Sequence, residues 1–410
     1  MTHFTKGLEI LRTLPDTPTR ARQELALHTA LGPELMAIKG YAASEVEYTY
    51  ARARVLCQQV GDTPQLFSVL YGLWQFYALR GATQIMSELG AHLLQLAHQS
   101  QDPALLPPAY RALGASLFMR GELLAAREHL ERGIAASAPQ RDRTQAMRYG
   151  ADPGVMSGCF AAYTLWALGY PDQAWQRSRE ALARAQEVAH PLSQAHALAL
   201  AAELHRFRRE ATAVLAPAEA AVTLASEQEF VHIISLGTLL QAWAMAAQGR
   251  GEEALARMQH AVAVRQTTGA VRPPHIVGLI AEIYGYGGQP AEGLRLLDAA
   301  LVQAPQSDPH WYSAELYRLK GELLLAQEGH KQRGVAENVA ASFCQALDVA
   351  RQQQAKSWEL RAATSLARLW QAQDRRPQAY ELLAPVYAWF TEGFETAELQ
   401  DAKALLAALS

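Results

Sequence analysis

The chain has 410 residues, half of them apolar and 19% charged, with a formal net charge of −3. That length exceeds a usual single domain, so it calls for several domains or one extended array, and the apolar share is that of a folded chain. The near-neutral balance gives no electrostatic footprint for nucleic acid or for an anionic membrane.

Three scattered cysteines, Cys57, Cys159 and Cys344, make neither a disulfide framework nor a metal site and fit a reducing cytosol. The first ten residues, MTHFTKGLEI, lack a signal-peptide core, and the most apolar windows are broken by Glu, His or Pro well before the ~20 residues a membrane span needs. A cytoplasmic protein is the expectation. The basic run from Arg206 to Arg209 reads as the solvated end of a helix.

Taken in order, residues 6–14 and 19–31 read as two helices joined by Pro15-Asp16-Thr17-Pro18, an N-terminal cap or partial hairpin over residues 1–40. From 41 to 395 a repeat takes over. Residues 110–136, YRALGASLFMRGELLAAREHLERGIAA, are its clearest copy: an apolar helix, a break at Gly121, and an amphipathic helix running back. Gly114 allows close approach, Gly121 makes the turn, and Ala126 is small where the helices cross. That is the pattern of a tetratricopeptide-type hairpin.

The turn recurs at Gly169, Gly249, Gly288 and Asp374, with a weaker copy at Arg209 and a forerunner at Gly81. Positions 81, 121, 169, 209, 249 and 288 lie 40, 48, 40, 40 and 39 residues apart, a sustained period that predicts an array. A single helix pair cannot bury both its faces, so the repeats must stack. The expected fold is all-α: a right-handed superhelix of about eight stacked hairpins. Trp74, Trp166, Trp243 and Trp370, on the first helices, are expected in the packing between repeats. Asp152-Pro153 and Asp308-Pro309 read as N-cap followed by first helical residue.

Two polar segments, 137–151 and 328–336, interrupt the period as loop insertions, either plain or shaped for a partner. Residues 396–410 read as a capping helix with Thr396 as a candidate N-cap.

No catalytic motif is present. There is no phosphate loop, no zinc-protease helix, and Gly154-Val-Met-Ser-Gly158 has the wrong spacing for a nucleophile elbow. His190 and His196 fall on different helix faces with Pro191 between them, a poor metal pair. No cofactor, no metal and no enzymatic activity are expected.

What remains is a binding surface. In stacked hairpins the first helices line the concave side, and counting back six residues from each turn gives one position per repeat facing it. That row is Gln75, Ala115, Tyr163, Glu203, Trp243 and Glu282, with Glu322 and Arg368 as the equivalent positions of the two C-terminal units, aligned through Gly321 and Ala379. A row four residues earlier is Tyr71, Arg111, Cys159, Ala199, Leu239, Gly278, Arg318 and Thr364. Arg111, Tyr163, Glu203, Trp243, Glu282, Arg318, Glu322 and Arg368 are the candidate groove residues. They suit an extended peptide or a partner helix, or are merely exposed helix positions.

Several blocks carry a resemblance: residues 11–42, 50–77, 148–155 (RYGADPGV), 311–327 (WYSAELYRLKGELLLAQ) and 382–409, which contains WFTEGF. Over nearly its whole length the chain resembles the C-terminal tetratricopeptide region of large bacterial signalling proteins that carry a class III nucleotide cyclase domain and an AAA-type, STAND-like ATPase domain upstream. The resemblance implies a sensor or scaffold arm, with the ATPase or cyclase upstream or acting in trans, and the chain either free-standing or a piece of such a protein. None of the nucleotide-binding or cyclase motifs is in this sequence, so no activity transfers. The expected role is a non-catalytic interaction scaffold; the alternative is a small-molecule sensor with Tyr163, Glu203 and Trp243 as pocket walls, and a deep apolar cavity at those three would favour it.

Overall fold

Every turn position of the forty-residue series adopts the same backbone geometry. Gly81, Gly121, Gly169, Gly249 and Gly288 have φ of 68°, 78°, 94°, 83° and 73°, and Arg209 and Asp374 follow at 60° and 59°. At each, the next residue's N–H reaches the carbonyl five positions back: Glu122 to Leu117 at 3.0 Å, Glu210 to His205 at 2.9 Å, Arg375 to Trp370 at 2.9 Å. This left-handed closure satisfies the carbonyls a helix end leaves orphaned and sends the chain back antiparallel.

The computed structural model describes residues 2–39, 43–60, 63–137, 143–266, 272–303, 310–328 and 333–410. After α1 (Thr2–Arg12), helical hairpins follow one another: α2 (Pro18–Lys39) with α3 (Ser44–Val60), α4 (Thr63–Leu79) with α5 (Thr83–Ser100), and α6 (Leu106–Met119) with α7 (Leu123–Ser137). A short α8 (Thr144–Tyr149) precedes α9 (Pro153–Ala167) with α10 (Pro171–Val188), α11 (Pro191–Phe207) with α12 (Ala211–Glu227), and α13 (Val231–Ala247) with α14 (Gly251–Gln266). Then come α15 (Pro274–Tyr286) with α16 (Pro290–Gln303), α17 (Ser313–Glu328) with α18 (Arg333–Gln352), α19 (Lys356–Ala372) with α20 (Arg376–Ala388), and α21 (Ala397–Leu409). The described residues contain no strand. The first helices of successive hairpins pack side by side as an inner layer and the second helices form an outer one, giving the right-handed superhelix of stacked hairpins.

The small residues do what the spacing required. Ala126, Ala174, Ala254 and Ala379 are fully buried where second helices cross first ones, and a Cβ on Gly114 would stand 2.7 Å from Leu130 Cγ. Asp152 caps α9, its Oδ1 accepting from Val155 N at 2.7 Å, with Pro153 at the first helical position. Thr396 occupies the N-cap of α21 but does not cap it: its hydroxyl donates to the Gly393 carbonyl at 2.7 Å. The Asp308-Pro309 pair lies outside the described residues. The polar insertion after α7 is not all loop, since α8 tucks Ala146 and Tyr149 into the core.

The superhelix closes on itself. Trp311 N donates to the Met119 carbonyl at 3.2 Å, Ser357 Oγ to the Trp166 carbonyl, and Gly393 N to Asp172 Oδ2 at 2.9 Å. Phe118, Tyr163, Trp166, Phe207, Trp311, Tyr312 and Trp358 fill the axis, with Phe118–Trp311 and Trp166–Trp358 ring centroids each 4.5 Å apart. Aromatic side chains cover large areas at little rotamer cost, which suits them to plug the centre of a coiled array.

Candidate functional site

That closure decides where the predicted groove residues go. The inner layer is the one expected, but over α6 to α13 its centre is packed. Arg111 (7% exposed), Tyr163, Glu203 and Trp243 are all buried and do not line an open groove. Tyr163 Oη lies 3.0 Å from both Glu203 Oε2 and the Leu200 carbonyl. Trp243 sits in the apolar core between α11 and α15.

The basic run at 206–209 is a solvated helix end only at Arg209, which is exposed. Arg206 is buried, its guanidinium 3.4 Å from Glu203 and from Glu282 and 3.1 Å from the Tyr312 hydroxyl. A buried cation must be paired to survive desolvation, and this one ties α11 to α15 and α17. Burial raises the pKa of Glu203, against the pull of Arg206 and the Tyr163 hydroxyl.

The other four predicted residues converge. Glu282 on α15, Arg318 and Glu322 on α17, and Arg368 on α19 line one open cleft of about 310 Å³ between the ends of these helices and α21. Arg209, Tyr286, Glu398 and Asp401 complete its polar wall, and Leu319, Leu323 and Leu360 give it an apolar side. The polar wall is held rigidly. Arg318 grips Glu315 with two bonds of 2.7 and 2.8 Å and reaches Glu322 at 3.0 Å. Arg361 donates to Glu315 at 2.9 Å and to Glu398 and the Phe207 carbonyl, and Ser365 Oγ donates to Glu322 at 2.6 Å. Burial by itself would raise Glu315, but Arg318 and Arg361 overrule it and hold the carboxyl at about 2. At the rim Arg209 and Arg368 share Asp401, at 3.3 and 3.4 Å. Two half-exposed guanidiniums sharing one half-exposed carboxylate leave donor capacity facing solvent.

Sequence reasoning missed Glu315 and Arg361, the buried supports of this wall. Both stand seven residues, two helical turns, before a residue it found: Glu315 before Glu322 and Arg361 before Arg368. A charge repeated at that interval on an otherwise apolar inner helix was the available signal.

Burial pushes the Cys159 thiol up to about 12, out of nucleophilic range. Among the described residues no three His, Cys, Asp or Glu side chains cluster as metal ligands. His196 pairs with His232, not with His190: their Nε2 atoms lie 3.1 Å apart. No helix among the described residues is long and apolar enough to cross a membrane.

A solved structure shares this architecture throughout. A Rap protein in complex with competence and sporulation factor aligns with a TM-score of 0.58 at 13% identity, over 95% of this chain and 99% of that one. The fold is a tetratricopeptide-like superhelix. Yeast Tom70 aligns more loosely, with a TM-score of 0.39 at 12% identity over 99% of this chain and 92% of that one, too distant to argue from. No family model matches the sequence, and no curated protein matches it.

Proposed function

We propose that this chain is a non-catalytic regulatory scaffold of bacterial signal transduction, cytoplasmic, that binds an extended peptide or partner segment in the cleft between α15, α17, α19 and α21. The observation that carries this reading is the convergence of Glu282, Arg318, Glu322 and Arg368, from three consecutive inner helices, on one open cleft with a polar and an apolar side. Such a cleft offers fixed donors and acceptors for a peptide backbone and an apolar strip for side chains. The similar Rap protein was solved with a bound factor, which supports a binding role for the architecture. The partner belongs to a signalling assembly with an ATPase or nucleotide cyclase domain, upstream in the same chain or in trans, as the sequence resemblance implies.

Tyr163, Glu203 and Trp243, the walls expected of a small-molecule sensor, are packed against protein, whereas the C-terminal cleft is open. The test compares wild-type chain with an Arg368→Ala/Glu322→Ala double variant in quantitative affinity capture, with circular dichroism as the control. Partners retained by wild type and lost by the variant at unchanged helicity support the cleft. An identical captured set overturns it.

A further inference from the structure

The open cleft has one place where positive charge outweighs negative. Arg209, at the α11–α12 turn, and Arg368 of α19 both approach a single carboxylate oxygen, Asp401 Oδ2 on α21, at 3.3 and 3.4 Å. Among the described residues Asp401 is the only acid paired with either arginine. All three side chains line the cleft and are open to solvent, Arg209 being 42%, Arg368 49% and Asp401 45% exposed.

The other charges of the cleft are committed. Arg318 holds Glu315 and Glu322, and Arg361 holds Glu315 and Glu398. Glu282 faces Arg206, and Glu322 also accepts from Ser365. The Asp401 contacts, by contrast, exceed the roughly 2.7–2.9 Å of a close guanidinium–carboxylate bond. Exposed pairs of this kind contribute little to stability, and each guanidinium has five N–H donors to offer.

With the peptide-binding reading of this cleft as its basis, we infer that Arg209 and Arg368 select a peptide carrying a carboxylate. That group docks beside Asp401, and the peptide's apolar side chains lie on the Leu319, Leu323 and Leu360 face. Two cations and Asp401 leave one positive charge, which a monoanion balances. A phosphate dianion would set three negative charges against two positive ones, so a carboxylate fits better. Asp401 is then a weak internal competitor for the ligand.

The test uses two pools of N-acetylated random heptapeptides, one with C-terminal amides and one with free C-termini. Each is passed over the immobilised full chain, with the Arg368→Ala/Glu322→Ala variant as the blank, and retained peptides are sequenced by mass spectrometry. Peptides kept by wild type alone should be enriched in Asp or Glu among apolar residues, or be confined to the free-acid pool. The first outcome assigns the carboxylate to a side chain, the second to the chain end. For a selected peptide, Arg209→Gln and Arg368→Gln should each weaken binding about tenfold, while Asp401→Asn should tighten it severalfold. Variant-sensitive peptides drawn from both pools without acidic enrichment, or rich in Lys and Arg, overturn the inference and leave the cleft a peptide site. No variant-sensitive peptide at all overturns both. Unchanged affinity in the two arginine variants, or weaker binding in Asp401→Asn, also overturns the inference.

Discussion

Trp166 and Trp358 meet edge to face, with ring centroids 4.5 Å apart and planes at 79°, although one lies on α9 and the other on α19. Ser357, beside Trp358, donates to the Trp166 carbonyl, and Arg361, one turn further on, lies over both indoles at 5.1 and 4.9 Å. This contact joins distant turns of the superhelix and turns a chain of nearest-neighbour repeats into a closed body.

Trp358→Ala should therefore cost about 3–5 kcal/mol, the range for emptying a large buried aromatic site, and should act beyond its own hairpin. We expect a lower melting temperature and faster proteolysis between α6 and α11 as well as around α19. Cleavage that increases only near residue 358 would mean that the closure contributes little.

Gly121→Val tests the turns. Its φ of 78° is one a β-branched residue resists, and a Cβ there would also stand 2.2 Å from Gln353 Nε2. The left-handed conformation alone should cost about 1–2 kcal/mol. Asp374→Gly, at an exposed turn with φ of 59°, should run the other way and stabilise by up to about 1 kcal/mol. Chemical denaturation of the two variants checks both signs.

Arg206→Met leaves Glu203 buried without its cation, and a loss of about 3–5 kcal/mol is expected. Adding Glu203→Gln should recover a large part of it, since the amide still accepts from Tyr163 and carries no charge. A double variant as unstable as the single one would show that the pair's charge is not what matters.

Four inner-wall histidines set the acid limit. Burial pushes His196 down to about 4 and His232, His275 and His310 to about 3. Smaller shares come from Arg111 and His190 on His196, from His196 and Arg265 on His232, from Arg265 and Arg206 on His275, and from His275 on His310. Their folded pKa values lie below the unfolded one, so their stability contribution is complete above about 6.5 and is lost as pH falls from there toward 3–4. At pH 5 each forfeits at most about 2 kcal/mol. The melting temperature should drop steeply between pH 6.5 and 4, and less so in His275→Gln.

The sequence by itself determined the repeat. A left-handed turn favours glycine, a helix crossing needs a small residue, and both are local demands that leave a mark every forty residues. They located the hairpin turns at Gly81, Gly121, Gly169, Arg209, Gly249, Gly288 and Asp374, and with them most of the inner row of side chains. Even Arg209 and Asp374, which lack the glycine, were found, Arg209 through the period and Asp374 through Ala379 five residues on. What sequence could not decide was which part of that row stays open. This depends on the curvature summed over many hairpins, which brings Trp311 against Phe118 and Trp358 against Trp166 and fills the axis. So Tyr163, Glu203 and Trp243 pack inside, while Glu282, Arg318, Glu322 and Arg368, from the same two inner rows, face an open cleft. Burial of Arg206 has the same origin: its partners Glu282 and Tyr312 lie on other hairpins, and no local pattern around residue 206 announces them.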